Sequence, residues 1–205
     1  MPDQPAAKFT PPKELKAFAN DRQLCVARFS PCGKFLAAGA MEGTVRRWSV
    51  VEKPKPAVDV ELPDDAKKKP APKNAKQPAD SPVELVPLPH LTSYNGWVQS
   101  IAFHPKDKTL YAADSWGKLT ATAYEGDAPK PLWENATAHD GWIRKLAVSP
   151  DGQHLATCGR DQFVRVWTTA GKLVAEHRNG EDVFAVAFAP AGKIVAFGDE
   201  KGKVR

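Results

Sequence analysis

The stretch AHDGWIRKLAVSPDGQHLATCGRDQFVRVW, residues 138–167, contains the complete pattern of one structural unit. Two strand-like runs, RKLAV and QHLATCG, flank the turn SPDG, and a second short turn leads into FVRVW. Pro and Gly cannot continue a strand, whereas the β-branched, aromatic and small residues of the runs suit one. The stretch therefore predicts three consecutive antiparallel strands.

The same pattern occurs four times along the chain, which indicates an internal repeat. The first turns read FSPCG, FHPKD, VSPDG and FAPAG, starting at residues 29, 103, 148 and 188. Third strands follow in MEGTVRRW, SWGKLTAT, RDQFVRVW and EKGKVR, and candidate fourth strands are VELVPL, KPLWEN and KLVAEH. Because one four-stranded sheet buries too little apolar surface alone, the units are expected to stack around an axis.

On these residues the chain resembles the WD-repeat (tryptophan–aspartate repeat) β-propeller family, most clearly over residues 138–167 and 26–48. The resemblance implies an all-β fold, a β-propeller of four-stranded antiparallel blades with three complete blades plus one truncated blade. We expect a flexible N-terminal tail over residues 1–12 and a partial propeller over residues 13–205. The predicted blades span residues 13–92, 93–137, 138–177 and 178–205.

The polar residues that mark the family are complete in one predicted blade. The resemblance implies a structural hydrogen-bond network that joins His139, Thr157, Asp161 and Trp167. The equivalent Asp positions hold Glu42, Trp116 and Lys201, and the equivalent His positions hold Asn20, Tyr94 and Asn179. His, Thr and Asp also occur in catalytic triads, but in the family this trio is buried without an oxyanion hole. We therefore assign the four residues a structural role.

Large and charged side chains mark one end of the predicted blades. In a propeller, the loop before each first strand and the turn between the second and third strands open on one axial face. The candidate partner-binding residues of this face are Trp97, Gln99, Trp142, Arg144, Arg160 and Phe184. Exposed aromatic and Arg side chains on a rigid surface are typical of binding hot spots. Alternatively, Trp97 and Trp142 pack between neighbouring blades.

The sequence contains none of the motifs HExxH, GxSxG or GxGxxG. We predict a non-catalytic protein–protein interaction scaffold with no catalytic residue, no cofactor and no metal site. Its expected partner is an unknown protein or peptide. The alternative is a regulatory or substrate-recruiting propeller part of a larger enzyme whose catalytic region lies outside this chain. His104 and His154 stand in or beside turns and are expected to be exposed.

Composition and charge restrict the partners and the cellular compartment that can be expected for this protein. The net charge of +5 invites a nucleic-acid partner, but much of the lysine lies in one low-complexity stretch without an Arg-rich helix, so nucleic-acid binding is not expected. Cys25, Cys32 and Cys158 form no CxxC pair, which favours reduced thiols. No apolar run approaches the ~18 residues of a membrane span, and no signal peptide is evident. We expect a cytoplasmic protein without a membrane partner.

Residues 53–81, KPKPAVDVELPDDAKKKPAPKNAKQPADS, interrupt the first predicted blade. This Pro/Lys-rich composition with almost no aromatic residues predicts a disordered insertion. It is either a tolerated surface loop or a docking segment for an acidic partner. Arg205 falls inside the predicted third strand of the last blade, so we expect a fragment that needs further blades of the same polypeptide. The alternative is a short chain that closes its ring with another copy.

Overall fold

The structure, a computed structural model, describes residues 22–53 and 83–205. The chain divides into two compact units, one of Asp21–Val50 with Leu85–Arg205 and one of Met1–Asn20 with Val51–Glu84. Of the second unit the structure describes residues 51–53 and 83–84, which belong to or follow strand ends. The predicted tail over residues 1–12 lies outside the described residues, as does the predicted insertion over residues 53–81 apart from Lys53.

Within the described ranges the chain forms fourteen β-strands and no helix. Sheet 1 contains β1 (Leu24–Phe29), β2 (Phe35–Ala40), β3 (Val45–Glu52) and β4 (Val83–Leu91). Sheet 2 contains β5 (Val98–Phe103), β6 (Thr109–Asp114), β7 (Leu119–Ala123) and β8 (Pro131–Asn135). Sheet 3 contains β9 (Ile143–Val148), β10 (His154–Gly159), β11 (Phe163–Thr168) and β12 (Leu173–Arg178). Sheet 4 pairs β13 (Val183–Phe188) with β14 (Val195–Asp199), and Val204 adds a bridge to Gly198.

This arrangement confirms the predicted all-β fold of three four-stranded sheets and one partial sheet. Strands that follow one another in the chain are neighbours in each sheet, and their pairing is antiparallel. The first strands of adjacent sheets, β1, β5, β9 and β13, lie next to one another. Among the described residues, no helix has the length and apolar character that crossing a membrane requires.

Alternation along a strand divides the core into layers between the sheets. In β6, Leu110 and Ala112 pack in a cluster with residues of sheet 1, whereas Tyr111 and Ala113 pack with residues of sheet 3. Successive strand residues point to opposite faces, so a strand covered by a sheet on each side is buried on both faces. This explains why all six residues of β6 are buried. A smaller cluster around Cys158 joins sheet 3 to sheet 4.

The second turn of each sheet contains a residue with a positive φ. Three sheets use glycine there, at Gly43, Gly117 and Gly202, with φ between 76° and 88°. Sheet 3 uses Gln162 with φ 69°, which is the one non-glycine residue of positive φ in the described ranges. Side chains are disfavoured in this left-handed region. The turn therefore has the same shape in all four sheets, but in sheet 3 the backbone is strained.

A buried arginine fastens sheet 1 to sheet 2. Arg47 in β3 is 2% exposed, and its guanidinium donates to the carbonyl oxygen of Pro89 at 2.7 and 3.0 Å. The same group donates to the carbonyl oxygens of Tyr124 at 2.6 Å and Gly126 at 3.3 Å. Burial lowers the pKa of Arg47, and the charge of Asp127 opposes this shift. Carbonyl dipoles from both sheets therefore solvate the buried cation.

The expectation that His104 is exposed is wrong. His104 is buried and its Nε2 lies 2.9 Å from the carbonyl oxygen of Gly152, in the first turn of sheet 3. Its Nδ1 accepts the backbone N–H groups of Lys106 and Asp107. Nδ1 is thus an acceptor and Nε2–H donates to Gly152. The sequence shows a histidine in a turn, but it does not show that the neighbouring sheet packs against this turn. His154 is half-buried.

Candidate functional site

One backbone hydrogen bond recurs in every sheet and defines a common end. The residue that follows the second strand donates its N–H to the carbonyl oxygen of a residue before the first strand. The four bonds are Met41 to Gln23 at 3.1 Å, Ser115 to Trp97 at 3.0 Å, Arg160 to Trp142 at 2.9 Å and Glu200 to Asp182 at 3.0 Å. Each bond ties the second turn to the incoming loop. The candidate residues in these loops and turns therefore share one end of their sheets.

Four of the six predicted face residues form a continuous stack across three sheets. The ring centroids of Trp97 and Trp142 are 5.5 Å apart with an interplanar angle of 58°. The guanidinium carbon of Arg144 lies 4.4 Å from the centroid of Trp142 and 4.6 Å from that of Phe184. We call Trp97, Trp142, Arg144 and Phe184 the aromatic ridge. Arg144 is held between two rings by cation–π attraction.

The aromatic ridge is partly accessible to solvent. Trp97 is 39% exposed and Phe184 is 48% exposed, while Trp142 and Arg144 are half-buried. The indole nitrogen of Trp142 and Nε of Arg144 are buried and have no hydrogen-bond partner in the part of the chain that the structure describes. The two alternatives for Trp97 and Trp142 thus coexist, because the rings pack between adjacent sheets and also reach the surface.

The other two predicted face residues lie outside the stack. Arg160 is exposed and lines a hollow of about 570 Å³ beside Trp142, together with Asp140 and Gln162. Gln99 is half-buried in β5, two residues after Trp97. A second hollow of about 400 Å³ lies between Trp97, Trp116 and Trp142. Trp116 was not among the predicted site residues, although its position in the second turn placed it at the same end.

Sheet 3 contains a hydrogen-bonded chain through His139, Thr157, Asp161 and Trp167. The Trp167 indole N–H donates to Thr157 Oγ1 at 2.9 Å, and Thr157 Oγ1 lies 2.8 Å from His139 Nε2. His139 Nδ1 lies 2.8 Å from Asp161 Oδ1. Because Asp161 is ionised, Nδ1 bears the proton and donates to it, and the Thr157 hydroxyl donates to Nε2. Arg165 donates to Asp161 Oδ2 at 2.6 Å.

Electrostatics keep His139 neutral and Asp161 charged. Burial lowers the pKa of His139, against the opposing effect of Asp161. Burial alone would raise the pKa of Asp161, but hydrogen bonds from His139 and Arg165 outweigh it and hold that pKa well below its usual range. The Thr157 hydroxyl is fully buried, so no substrate can reach it. The arrangement fastens the incoming loop to the turn and has no geometry for nucleophilic catalysis.

Two carboxylates that the sequence analysis did not single out perform the role of Asp161 in other sheets. Asp114 Oδ1 accepts the N–H groups of Trp116 and Lys118, and its Oδ2 accepts the N–H of Asn95. Asp199 accepts the N–H groups of two turn residues, the Asn179 amide and Arg205. The position equivalent to Asp161 holds Trp116 and Lys201 in these sheets, so the carboxylate reaches the turn from another position. The sequence signal for these carboxylates is an Asp at the end of the second strand, two positions before the residue that aligns with Asp161.

No set of three or more His, Cys, Asp or Glu side chains within residues 22–53 and 83–205 is arranged to hold a metal ion. The cysteines in these ranges are free thiols, with Cys25 and Cys32 exposed and Cys158 buried. Burial raises the pKa of Cys158 to about 12, which makes it a poor nucleophile at neutral pH. A hydrogen bond from Ser30 lowers the pKa of Cys32.

Comparison with known proteins identifies the repeat. The family model "WD domain, G-beta repeat" matches residues 11–49 and 132–168. The chain is also similar in structure to Sqt1 of Chaetomium thermophilum, solved bound to the N-terminus of the ribosomal protein L10, with a TM-score of 0.62. That likeness has 20% sequence identity and covers 85% of this chain and 40% of Sqt1. The WD model thus matches two stretches of the chain, and the likeness to the solved structure shows that the sheets are arranged as blades of a β-propeller.

A second solved structure and a curated relative agree with this fold. A chain of the mitotic checkpoint complex has a TM-score of 0.63 and 17% identity, covering 90% of this chain and 47% of that one. Protein HIR1 of Eremothecium gossypii is 25% identical in an alignment of length 192 that covers 84% of this chain. The chain spans about a fifth of the length of such curated relatives, 21% and 19% for two HIR1 proteins.

Proposed function

We propose that this chain is a non-catalytic platform that binds another protein or peptide through the aromatic ridge. The observation that carries the proposal is the stack of Trp97, Trp142, Arg144 and Phe184 across three blades. Stacking restricts these large side chains before any partner arrives, so binding loses little side-chain entropy. Trp and Arg are also the residue types enriched at binding hot spots.

The charged side chains around the aromatic ridge can orient a bound partner. Arg144 lies 3.9 Å from Asp182 at the blade-four end. The neighbouring carboxyl group of Glu181 raises the pKa of Glu200 there. Exposed Arg160 borders the ridge on the blade-three side. A partner that crosses the face therefore meets carboxylates at one end and a cation beside the middle, which favours one direction of binding.

The comparisons support a protein or peptide as the partner. Sqt1 was solved with a peptide segment of another protein, and the checkpoint structure is a multiprotein complex. Metal-dependent and triad chemistry find no support in the residues described above. The alternative role as a recruiting propeller of a larger enzyme would use the same surface. Location in the cytoplasm stays a prediction from the sequence.

Site-specific photo-crosslinking tests the proposal. A benzoylphenylalanine placed at Phe184 is expected to form adducts with a specific protein in a lysate, identified by mass spectrometry. The matched control carries the same probe at Ile194, which is 67% exposed at the opposite end of the sheet. Adducts of equal yield and identity from both positions would contradict a binding face at the ridge. A captured catalytic subunit would favour the recruiting role.

A further inference from the structure

The hollow beside the aromatic ridge has an unusual lining. Three indoles surround it: Trp97 before β5, Trp116 in the turn between β6 and β7, and Trp142 before β9. Met41 closes its far side. Trp116 is the most exposed of the three indoles, with 69% of its surface accessible. We call this space of about 400 Å³ the Trp-lined hollow.

Hydrogen-bond donors outnumber available acceptors in the Trp-lined hollow. The Trp142 indole N–H is buried without a partner, and those of Trp97 and Trp116 find no acceptor among the residues that the structure describes. The nearest carboxylate, Glu42, already accepts from the Thr44 hydroxyl at 2.7 Å and from Arg46 at 2.8 Å. Indole nitrogens donate and never accept. A fitting ligand must therefore supply acceptors and apolar surface.

The charges around the hollow disfavour a cationic ligand. Arg22 borders the adjoining surface with Met41 and Trp97, and the guanidinium carbon of Arg144 lies 4.4 Å from the ring centroid of Trp142. Glu42, the carboxylate in the lining of the hollow, is already paired with Arg46 at 2.8 Å. An aromatic cage for a lysine or arginine side chain would instead need an unpaired carboxylate.

We propose that the Trp-lined hollow binds an extended proline-rich segment of the partner, an inference that rests on the proposed function. Proline has a backbone carbonyl but no N–H, so such a segment presents acceptors without competing donors. In polyproline II conformation its rings and carbonyls project in a fixed, solvated arrangement. Aromatic-lined grooves elsewhere use the same chemistry. The rings of the segment pack between the indoles, and its carbonyls accept the N–H groups of the exposed Trp97 and Trp116.

Gly96 positions Trp116 for this role. A Cβ atom at residue 96 would lie 2.4 Å from Cδ1 and 2.9 Å from Nε1 of the Trp116 indole. It would also clash with Ser115 Oγ, which accepts the backbone N–H of Trp97. A methyl group there must therefore displace the Trp116 indole. The substitution Gly96→Ala alters the hollow without removing any of its tryptophans.

The experiment measures fluorescence anisotropy of a fluorescein-labelled ten-residue polyproline peptide titrated with the full chain. We expect saturable binding that Trp116→Ala and Gly96→Ala each weaken by about tenfold or more, equivalent to about 1.4 kcal/mol. Trp116→Phe keeps a ring but loses the N–H, so its binding should be intermediate. The control Leu132→Ala, at a site 61% exposed on the outer strand β8, should leave binding unchanged.

Three results would overturn the inference. They are no saturable binding up to millimolar protein, equal binding by Trp116→Ala, or tighter binding of a lysine or glutamate decapeptide. Crosslinking from position 184 separates the two proposals. If protein adducts form at that position in an otherwise wild-type chain while the proline peptide shows no saturable binding to the wild-type chain, the platform stands and the proline-rich ligand does not. Loss of adducts at position 184 in the wild-type background removes the platform itself.

Discussion

At the scale of single residues, the turn of each blade requires a carboxylate but not at one fixed position. Asp161 is the second residue after the end of β10, whereas Asp114 and Asp199 are the last residues of β6 and β14. From either position the oxygens reach backbone N–H groups of the turn and the incoming loop. Several N–H groups of a short turn can thus donate to a carboxylate placed at either of two positions.

We expect Asp114→Ala to destabilise the fold as much as Asp161→Ala does. Each variant leaves buried donors unpaired, at a cost of about 1–3 kcal/mol in the free energy of unfolding. Glu42→Ala should cost less, because the carboxylate of Glu42 is more exposed and accepts from the Thr44 and Arg46 side chains. Urea unfolding of the three variants measures this order. A loss in Asp161→Ala alone would mean that the backbone bonds of Asp114 contribute little.

Gln162→Gly should stabilise the protein by about 0.5–1 kcal/mol, because it removes the penalty of a side chain at positive φ. The same turn position already holds glycine in the other three blades. Gly117→Ala is the opposite test, since a Cβ there would lie 2.0 Å from the His139 carbonyl oxygen. Thermal unfolding should show a higher Tm for Gln162→Gly and a lower one for Gly117→Ala. A fall in Tm for Gln162→Gly would show that its side chain makes compensating contacts.

The sequence predicts the features that repeat in every blade, but it does not predict the contacts that form between neighbouring blades. Strand alternation, Pro-containing turns and the polar set of blade three are local in the sequence. The burial of His104 and the stack of Trp97 with Trp142 depend on how the next blade packs. The carboxylate of Asp114 was missed for a different reason, since a strict alignment of turn positions assigns Trp116 to its role. The carboxylate can reach the same turn N–H groups from the end of the strand, and an alignment of turn positions does not show this.

At the scale of strands and sheets, a few hydrogen bonds from side chains join the blades in addition to their apolar packing. Arg47 joins the first two blades through carbonyl oxygens. His104 and the Trp133 indole join the second to turns of the third, and Ser100 Oγ accepts the Leu146 N–H between the inner strands. Each fastening uses a backbone group that no strand ladder satisfies. They fix the register of one blade against the next, which apolar packing alone specifies poorly.

Arg47→Met should destabilise the fold by about 2–4 kcal/mol, because it leaves the carbonyl oxygens of Pro89 and Tyr124 buried without donors. Arg47→Lys keeps the positive charge but loses the planar guanidinium with its several donors, so its loss in the free energy of unfolding should be intermediate. The exposed Arg28 supplies the control, and Arg28→Met should change stability by less than about 0.5 kcal/mol. Equal stability of Arg47→Met and wild type in urea would show that water replaces the guanidinium.

At the scale of the whole molecule, buried polar groups couple folding to acid. The pKa of His139 is lowered in the folded chain by burial, so the unfolded chain binds a proton more readily. Its contribution to stability is complete above the unfolded value of about 6.5 and is lost as the pH falls below that value. Asp161 also has a lowered pKa in the folded state. Its contribution is complete above about pH 3.9 and declines as the pH falls further.

Stability should therefore decrease between pH 7 and pH 5, with His139 contributing at most about 1.4 kcal/mol per pH unit. Thermal unfolding of wild type and His139→Gln across this range measures the effect. The variant starts less stable but should lose less on acidification, because it has no proton to take up at this position. His90 is exposed, and His90→Gln should retain the wild-type pH dependence. Parallel curves for His139→Gln and wild type would contradict this assignment.

The aromatic ridge has a mechanical consequence, because its four side chains come from three blades. A ligand that grips Trp97 and Phe184 together spans the seams on either side of blade three. Such a ligand stabilises the packing of these blades, since separating any two of them also breaks the ligand contact. By mass action, occupancy at one hundred times Kd adds about 2.7 kcal/mol to the resistance against unfolding. The partner would then help to hold together the surface on which it sits.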